Sequence, residues 1–304
     1  MRLSLVAPLV LFCLYSLPAA AQLVEHEQML TARSRGIAGT GRSFASAGAA
    51  TLLNPAALAT SRMYVLGASY SFARVKDADG QGQDAHVLGV EWTDSTPNKL
   101  NLSMGVLYDY LLGDGLEGHN VHMALVYSFQ GPEFGVHLGA GGHYGSDWET
   151  GGSTSKDLWS GDFGLAFNFR NQLMLGVVGY NLASSLSETT PRGVGGGLSW
   201  WTGPLVLAFD TSATFDTVDQ SGDPVDALVA YMGGVQYMLV PEVVARIGGR
   251  YEQNQDSPLS LAGGISVLAG SVVSVDVGYQ HNISDPENFM VGVTLDIFNP
   301  FGLR

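Results

Sequence analysis

The sequence predicts an all-β chain, a transmembrane up-and-down β-barrel of about fourteen antiparallel strands with an N-terminal Gly/Ala-rich segment ahead of them. Three observations predict it. From about Met63 to the end, apolar residues alternate with small or polar ones, the period of strands whose two faces meet different surroundings. The connections between these segments are short and long by turns. Aromatic residues collect at the segment ends.

Composition indicates what the two faces meet. Apolar residues make up 46% of the chain and charged residues 14%, against about 25% charged in ordinary soluble domains. Beyond residue 21, however, no apolar run is long enough for a spanning helix. Such a chain either buries a large core or turns apolar faces to lipid. The formal charge of −14 excludes a nucleic-acid partner, whose affinity would rest on neutralising phosphates. Cys13 is the single cysteine, so no disulfide framework or thiolate metal site is available, and no cofactor is called for.

Residues 1–21 read as a signal peptide. Arg2 gives the positive start, Leu3 to Leu17 the apolar stretch, and Pro18-Ala19-Ala20-Ala21 the small residues before cleavage at Gln22. Residues 61–298 carry the barrel. In the last strand Phe289, Val291, Val293, Leu295 and Ile297 oppose Met290, Gly292, Thr294 and Asp296; before it, Val273, Val275, Val277 and Tyr279 oppose Ser274, Asp276, Gly278 and Gln280. The segments run 62–73, 85–94, 99–111, 119–130, 132–145, 157–170, 172–182, 192–201, 204–215, 226–238, 241–252, 258–268, 271–282 and 288–298, near the ~9–11 residues a tilted membrane strand needs.

Short turns are expected at Gln130-Gly131-Pro132, Arg170-Asn171, Thr202-Gly203, Leu239-Val240-Pro241 and Ala269-Gly270. Longer linkers are expected at 74–84, 112–118, 146–156, 183–191, 216–225, 253–257 and 283–287. That alternation is the mark of an outer-membrane barrel with its termini on the side of the short turns. Tyr127, Phe129, Phe134, Phe167, Phe169, Trp200, Trp201 and Tyr237 lie by the short turns. Tyr110, Tyr144, Trp159, Tyr180, Phe215, Tyr251, Tyr279 and Phe289 lie by the long linkers. Two such belts are expected where a bilayer meets water. Residues 299–304 form a short C-terminal tail.

Residues 22–60 show no alternation. Gly36 to Ala59 reads GIAGTGRSFASAGAATLLNPAALA, closed by a turn at Asn54-Pro55-Ala56. GTGRSF lacks the last glycine of a dinucleotide loop and follows no strand, which excludes that reading. The stretch resembles the N-terminal signature of FadL/PorV-type outer-membrane barrels, through Gly36, Gly39, Gly41, Phe44, Ala45, Asn54, Pro55, Ala56, Leu58 and Ala59. The resemblance covers some two dozen residues. It implies a fourteen-stranded barrel with an N-terminal plug, and transport or channel activity toward hydrophobic or amphipathic small molecules. It equally admits a non-transporting PorV/PorQ-like component of a secretion, motility or surface-attachment complex. The implied partners are outer-membrane lipid, a hydrophobic small-molecule ligand or an envelope protein complex, and the implied location is the bacterial outer membrane.

Charge supports a plug on separate grounds. Arg33, Arg35 and Arg42 concentrate cations in a chain short of them, and the inward face offers Asp109, Asp162, Asp210, Asp276 and Asp296. A guanidinium in a lumen needs such partners; a free periplasmic tail with solvated arginines is the other reading.

His122, His137 and His143 fall on the inward face of two strands joined at Gly131-Pro132, with His122 expected opposite residue 139 or 141. They read as scattered lumen polar groups rather than a metal or carboxylate site. Arg246, Arg250 and Glu252 line another inner wall, facing Asp276 across the lumen. The loop aspartates Asp216, Asp219, Asp223 and Asp226 do not fit an EF-hand. No nucleophile elbow, carboxylate pair or metalloprotease motif appears, so the chain is not read as an enzyme.

Overall fold

The computed structural model describes residues 31–45, 47–76, 82–113, 116–149, 155–183, 191–215, 227–253, 258–270 and 272–298. The expected signal peptide, residues 22–30, the acidic loop 216–226 and the tail 299–304 lie outside the described residues.

Fourteen strands follow one another around a closed ring. They are β1 (Tyr64–Lys76), β2 (Gly82–Asp94), β3 (Leu102–Gly113), β4 (Leu116–Gln130), β5 (Phe134–Glu149), β6 (Ser155–Phe169), β7 (Leu173–Tyr180), β8 (Gly193–Thr202), β9 (Leu205–Thr214), β10 (Leu228–Val240), β11 (Val243–Glu252), β12 (Leu259–Ala269), β13 (Val273–Asn282) and β14 (Phe289–Phe298). Each pairs antiparallel with its sequence neighbours, and β1 closes on β14 from Val65↔Phe298 to Arg74↔Phe289. Closure leaves no edge with unpaired backbone groups, the condition for strands to sit in lipid.

Burial alternates along the strands, as in Leu102–Gly113 and Val273–Asn282. The outward set is apolar and bare: Ile247 is 63% exposed, and Phe209 and Val177 are 54% exposed. A water-soluble barrel would bury such residues, so this face meets lipid. Ile247 sits midway along β11. Ile247→Arg is expected to cost about 2–4 kcal/mol of unfolding free energy in lipid vesicles, read from urea titration. A change within about 0.5 kcal/mol, the usual effect at a watery surface, would remove the lipid assignment of this face.

Several strands outrun their apolar pattern. β3 ends at Gly113 and β4 begins at Leu116, so the expected linker 112–118 shrinks to 114–115; likewise 74–84 becomes 77–81 and 146–156 becomes 150–154. Backbone pairing continues past the point where outward side chains turn polar, as in Arg74↔Asp84 and Leu112↔Glu117. Hydrophobic periodicity marks the lipid-facing part of a strand, whereas the hydrogen-bond ladder needs no lipid.

Among the described residues 31–60 there are three short helices, α1 (Ala32–Arg35), α2 (Ala47–Leu53) and a 3-10 helix (Pro55–Thr60), in contact with the inner face of the strands. Ala45, Ala49, Ala50, Leu53, Ala57, Leu58 and Ala59 pack with Ala124 and Val126 of β4, and Leu52 packs on Leu107 of β3. Small residues suit a space bounded by a polar wall.

Candidate functional site

The inner wall meets this segment through glycines. A Cβ at Gly139 would stand 2.3 Å from the backbone N of Ala56, one at Gly164 2.0 Å from Asn54 Oδ1, and one at Gly176 2.0 Å from Arg42 O. Farther round, a Cβ at Gly248 would lie 2.6 Å from the carbonyl carbon of Ile37, and one at Gly278 2.1 Å from Ala32 O. These lie on β5, β6, β7, β11 and β13, so the segment's backbone is seated in bays around most of the wall. The segment's own glycines answer to the same packing: Gly39 (φ 78°) and Gly41 (φ 145°) take left-handed backbone, and Gly36 would bring a Cβ to 3.1 Å from Gly264 Cα.

Two charge anchors hold the seat. Arg33 donates from Nε to Asp276 Oδ1 at 3.1 Å and from Nη2 to Oδ2 at 3.0 Å, with Asp296 Oδ2 at 3.6 Å. This two-pronged geometry is what a guanidinium does best. Ala32 N donates to Thr294 Oγ1 at 3.1 Å, and Arg35, fully buried, donates to Ser71 Oγ at 3.2 Å. At the second anchor, Asp210 Oδ2 accepts from Gly41 N and Arg42 N, both at 2.8 Å, and from Arg42 Nη1 at 3.4 Å. Arg42 Nε donates to Tyr180 OH at 2.9 Å, and that hydroxyl donates to Leu53 O at 2.5 Å.

The Asn54-Pro55-Ala56 corner ties the two halves together. Asn54 Oδ1 caps the 3-10 helix by accepting from Ala56 N at 3.0 Å, while Nδ2 donates to Arg42 O at 2.7 Å and to Leu165 O of β6 at 3.2 Å. Pro55 opens the helix, where a missing N–H costs nothing. Phe44 meets Trp201 edge-on, with ring centroids 5.9 Å apart.

The remaining residues picked out from sequence are placed as follows. Asp109 and Asp162 are inward and buried but do not share an anchor with Arg33 or Arg42. Asp162 Oδ1 accepts from Asn181 N at 2.8 Å, where β7 leaves β6, and Oδ2 lies 3.5 Å from His143 Nδ1. His122 stands directly opposite His143, not opposite 139 or 141, with ring centroids 5.3 Å apart. The turn takes in Glu133, which moves the pairing along. His137 is opposite Ser128 and bonded to it at 2.8 Å. Among the described residues no group of three or more His, Cys, Asp or Glu could hold a metal ion. Arg246 reaches Asp276 at 3.2 Å by spanning two strands along one wall, not across the lumen; Arg250 bonds Glu252 at 2.5 Å.

Two aromatics leave the expected belts. Trp201 and Tyr180 point inward, Trp201 onto Phe44 and Tyr180 between Arg42 and Leu53. Sequence reasoning also passed over Glu91, buried on β2 against Gly48 and beside Asp296 at Gly67. Its parity was the available signal, since Leu88, Val90 and Trp92 take the outward face.

No family model matches the sequence, and no curated protein matches it. Solved structures do. The toluene transporter TodX of P. putida aligns at a TM-score of 0.64 and 11% identity, over 90% of this chain and 97% of its own. The toluene transporter TbuX of Ralstonia pickettii aligns at 0.63 and 13%, over 90% and 98%. A Pseudomonas aeruginosa FadL homologue aligns at 0.55 and 12%, over 88% and 97%. At such identities the likeness is one of architecture, nearly end to end. The fold of this chain is therefore that of the FadL-type outer-membrane barrels.

Proposed function

We propose that the protein passes hydrophobic or amphipathic small molecules across the outer membrane, with residues 22–60 as the plug of its lumen. The observation that carries this reading is the seat of the segment, bays of bare glycine on one side and ion pairs at Asp210 and Asp276 on the other. Solved barrels of the same fold are described as toluene transporters and as a monoaromatic hydrocarbon channel, which supports a substrate of that general kind. The wall around the segment is rich in Ser, Asp, His and Arg, which favours molecules with a polar end over bare hydrocarbons.

Planar-bilayer conductance of the chain with and without residues 22–60 tests the plug, and vesicle uptake of decanoate tests the cargo. Deletion is expected to raise conductance several-fold, and the intact chain is expected to admit decanoate faster than empty vesicles do. The close fit of the segment also favours a second reading, a non-transporting component of an envelope complex. Unchanged conductance on deletion, together with no decanoate uptake, would decide for it.

A further inference from the structure

The barrel mouth on the side of the short turns holds a cavity of about 200 Å³ that the anchors above leave unexplained. Two hairpin turns wall it, with Gln130 to Gly135 on one side and Asn168, Arg170 and Asn171 on the other. Arg62, between the 3-10 helix and β1, completes it.

Two guanidiniums border the space. Arg62 Nη2 donates to Gln130 Oε1 at 2.9 Å, and Arg170 Nη2 donates to Glu133 Oε1 at 3.0 Å. Each bond uses one of five N–H donors, leaving most of both forks for a guest. Glu133 offsets one charge, so the pair of arginines keeps the cavity net positive in a chain with 14 basic and 28 acidic residues.

A buried imidazole packs behind the cavity wall. His137 is 1% exposed, its Nδ1 is bonded to Ser128 Oγ at 2.8 Å, and its Nε2 has no hydrogen-bond partner among the described residues. A Cβ on Gly135, which lines the cavity, would stand 3.1 Å from that nitrogen.

The backbone singles out the same arginines. Among the described residues, the non-glycine positions with left-handed φ are Ala38, Arg62, Asn101, Arg170, Asn171 and Asn181. Asparagine takes that conformation readily and arginine does not. The two charged residues of the set both border this cavity; at Arg170 the conformation is that of the two-residue hairpin turn Arg170-Asn171, closed by Gln172 N donating to Phe169 O at 2.8 Å. Outside, Phe129, Phe134 and Phe169 are exposed on the lipid face, and Phe134 also lines the cavity.

We propose that this cavity binds the oxyanion head of an amphiphile, a carboxylate or phosphate group. Arg62 and Arg170 hold the head, and its apolar tail lies on the phenylalanine patch. The amphiphile is a molecule that has crossed the lumen or a phospholipid of the adjoining leaflet; the recognised chemistry is the same. The inference extends the transport reading but is measured apart from it, because binding in detergent needs no passage across a membrane.

The experiment is calorimetric titration of the full chain in a non-ionic detergent with decanoate, using decanol as the uncharged control. It is run on the wild type and on the variant carrying Arg62→Gln and Arg170→Gln. Decanoate is expected to bind the variant at least ten-fold more weakly, with no difference for decanol. Heat-modifiable gel migration reports that the barrel is folded, and Arg170→Gln alone serves if the double variant does not fold. In a lipid arm, protein from phosphatidylglycerol vesicles is analysed by native mass spectrometry. Retention by the wild type and loss by the variant supports the same site with lipid as its occupant. Equal decanoate affinity and equal lipid retention in wild type and variant overturn the proposal.

Discussion

Gly176→Val should drive the N-terminal segment off its seat while leaving the barrel closed. The new Cβ would stand 2.0 Å from Arg42 O, 2.6 Å from Arg42 C and 2.9 Å from Asn54 Nδ2. Two of these are backbone atoms, so no rotamer change relieves the clash. Overpacking into side chains commonly costs about 1–3 kcal/mol, and a backbone neighbour puts this case at the upper end or beyond it. One partner has to move. β7 is laddered on both sides, to β6 and to β8, and valine suits a strand better than glycine does. The segment, which has no ladder, therefore moves. Arg33, Arg35 and Arg42 are its trypsin sites, and their cleavage is expected to be at least ten-fold faster in the variant, with heat-modifiable migration of the barrel unchanged. Gly233→Val is the matched control, since a Cβ there meets nothing within 4 Å. Equal trypsin protection in both variants and the wild type would mean that the bays do not hold the segment.

The strands were legible because lipid outside and a polar lumen inside impose opposite demands on successive residues, so parity alone assigns each side chain a face. Parity also overrides position along a strand. Nearness to a strand end puts Trp201 and Tyr180 in the belts, although Trp200 and Trp201 must face opposite ways, and the inward one packs on Phe44. The His122–His143 pairing depends on how many residues a turn consumes, and Pro132 shifts the reversal toward Glu133 in a way hydrophobic pattern does not record. The candidate site was legible in kind but not in detail. A wall of Gly and Ser announces that something sits inside, and three arginines in an acidic chain announce what it seeks. Which glycine faces which backbone atom depends on the path of an irregular segment, which has no period to read. Asn54 is the exception, because an Asn-Pro corner caps a helix wherever it occurs; its second bond, to Leu165 O, needed the barrel.

The two charge anchors are unequal, and that inequality sets the order in which the segment lets go. Asp276 is served by Arg33 and also by Arg246 and Ser274, so Arg33→Gln leaves the carboxylate paired. The Arg33 side chain is also 22% exposed, and water replaces part of what the substitution removes. Asp210 is fully buried, and its Oδ2 serves Gly41 N, Arg42 N and Arg42 Nη1 together. Asp210→Ala strips all three at once and leaves the Arg42 guanidinium buried with its carboxylate gone. Breaking a buried pair from one side costs about 3–5 kcal/mol, which corresponds to a fall of roughly 150-fold to 5,000-fold in hydrogen-exchange protection at Gly41 and Arg42. Arg33→Gln is expected to change protection around Ala32 to Gly36 by roughly ten-fold, about the 1–1.5 kcal/mol of a partly solvated interaction. Removing both charges with Arg42→Gln and Asp210→Asn should cost less than the sum of the single substitutions, because no buried charge then outlives its opposite. Equal losses at the two anchors, or strict additivity in the Arg42–Asp210 cycle, would mean that glycine packing alone fixes the segment. Unequal losses mean that it loosens from α1 inward, with the Arg42–Asp210–Tyr180 cluster the last contact to give way.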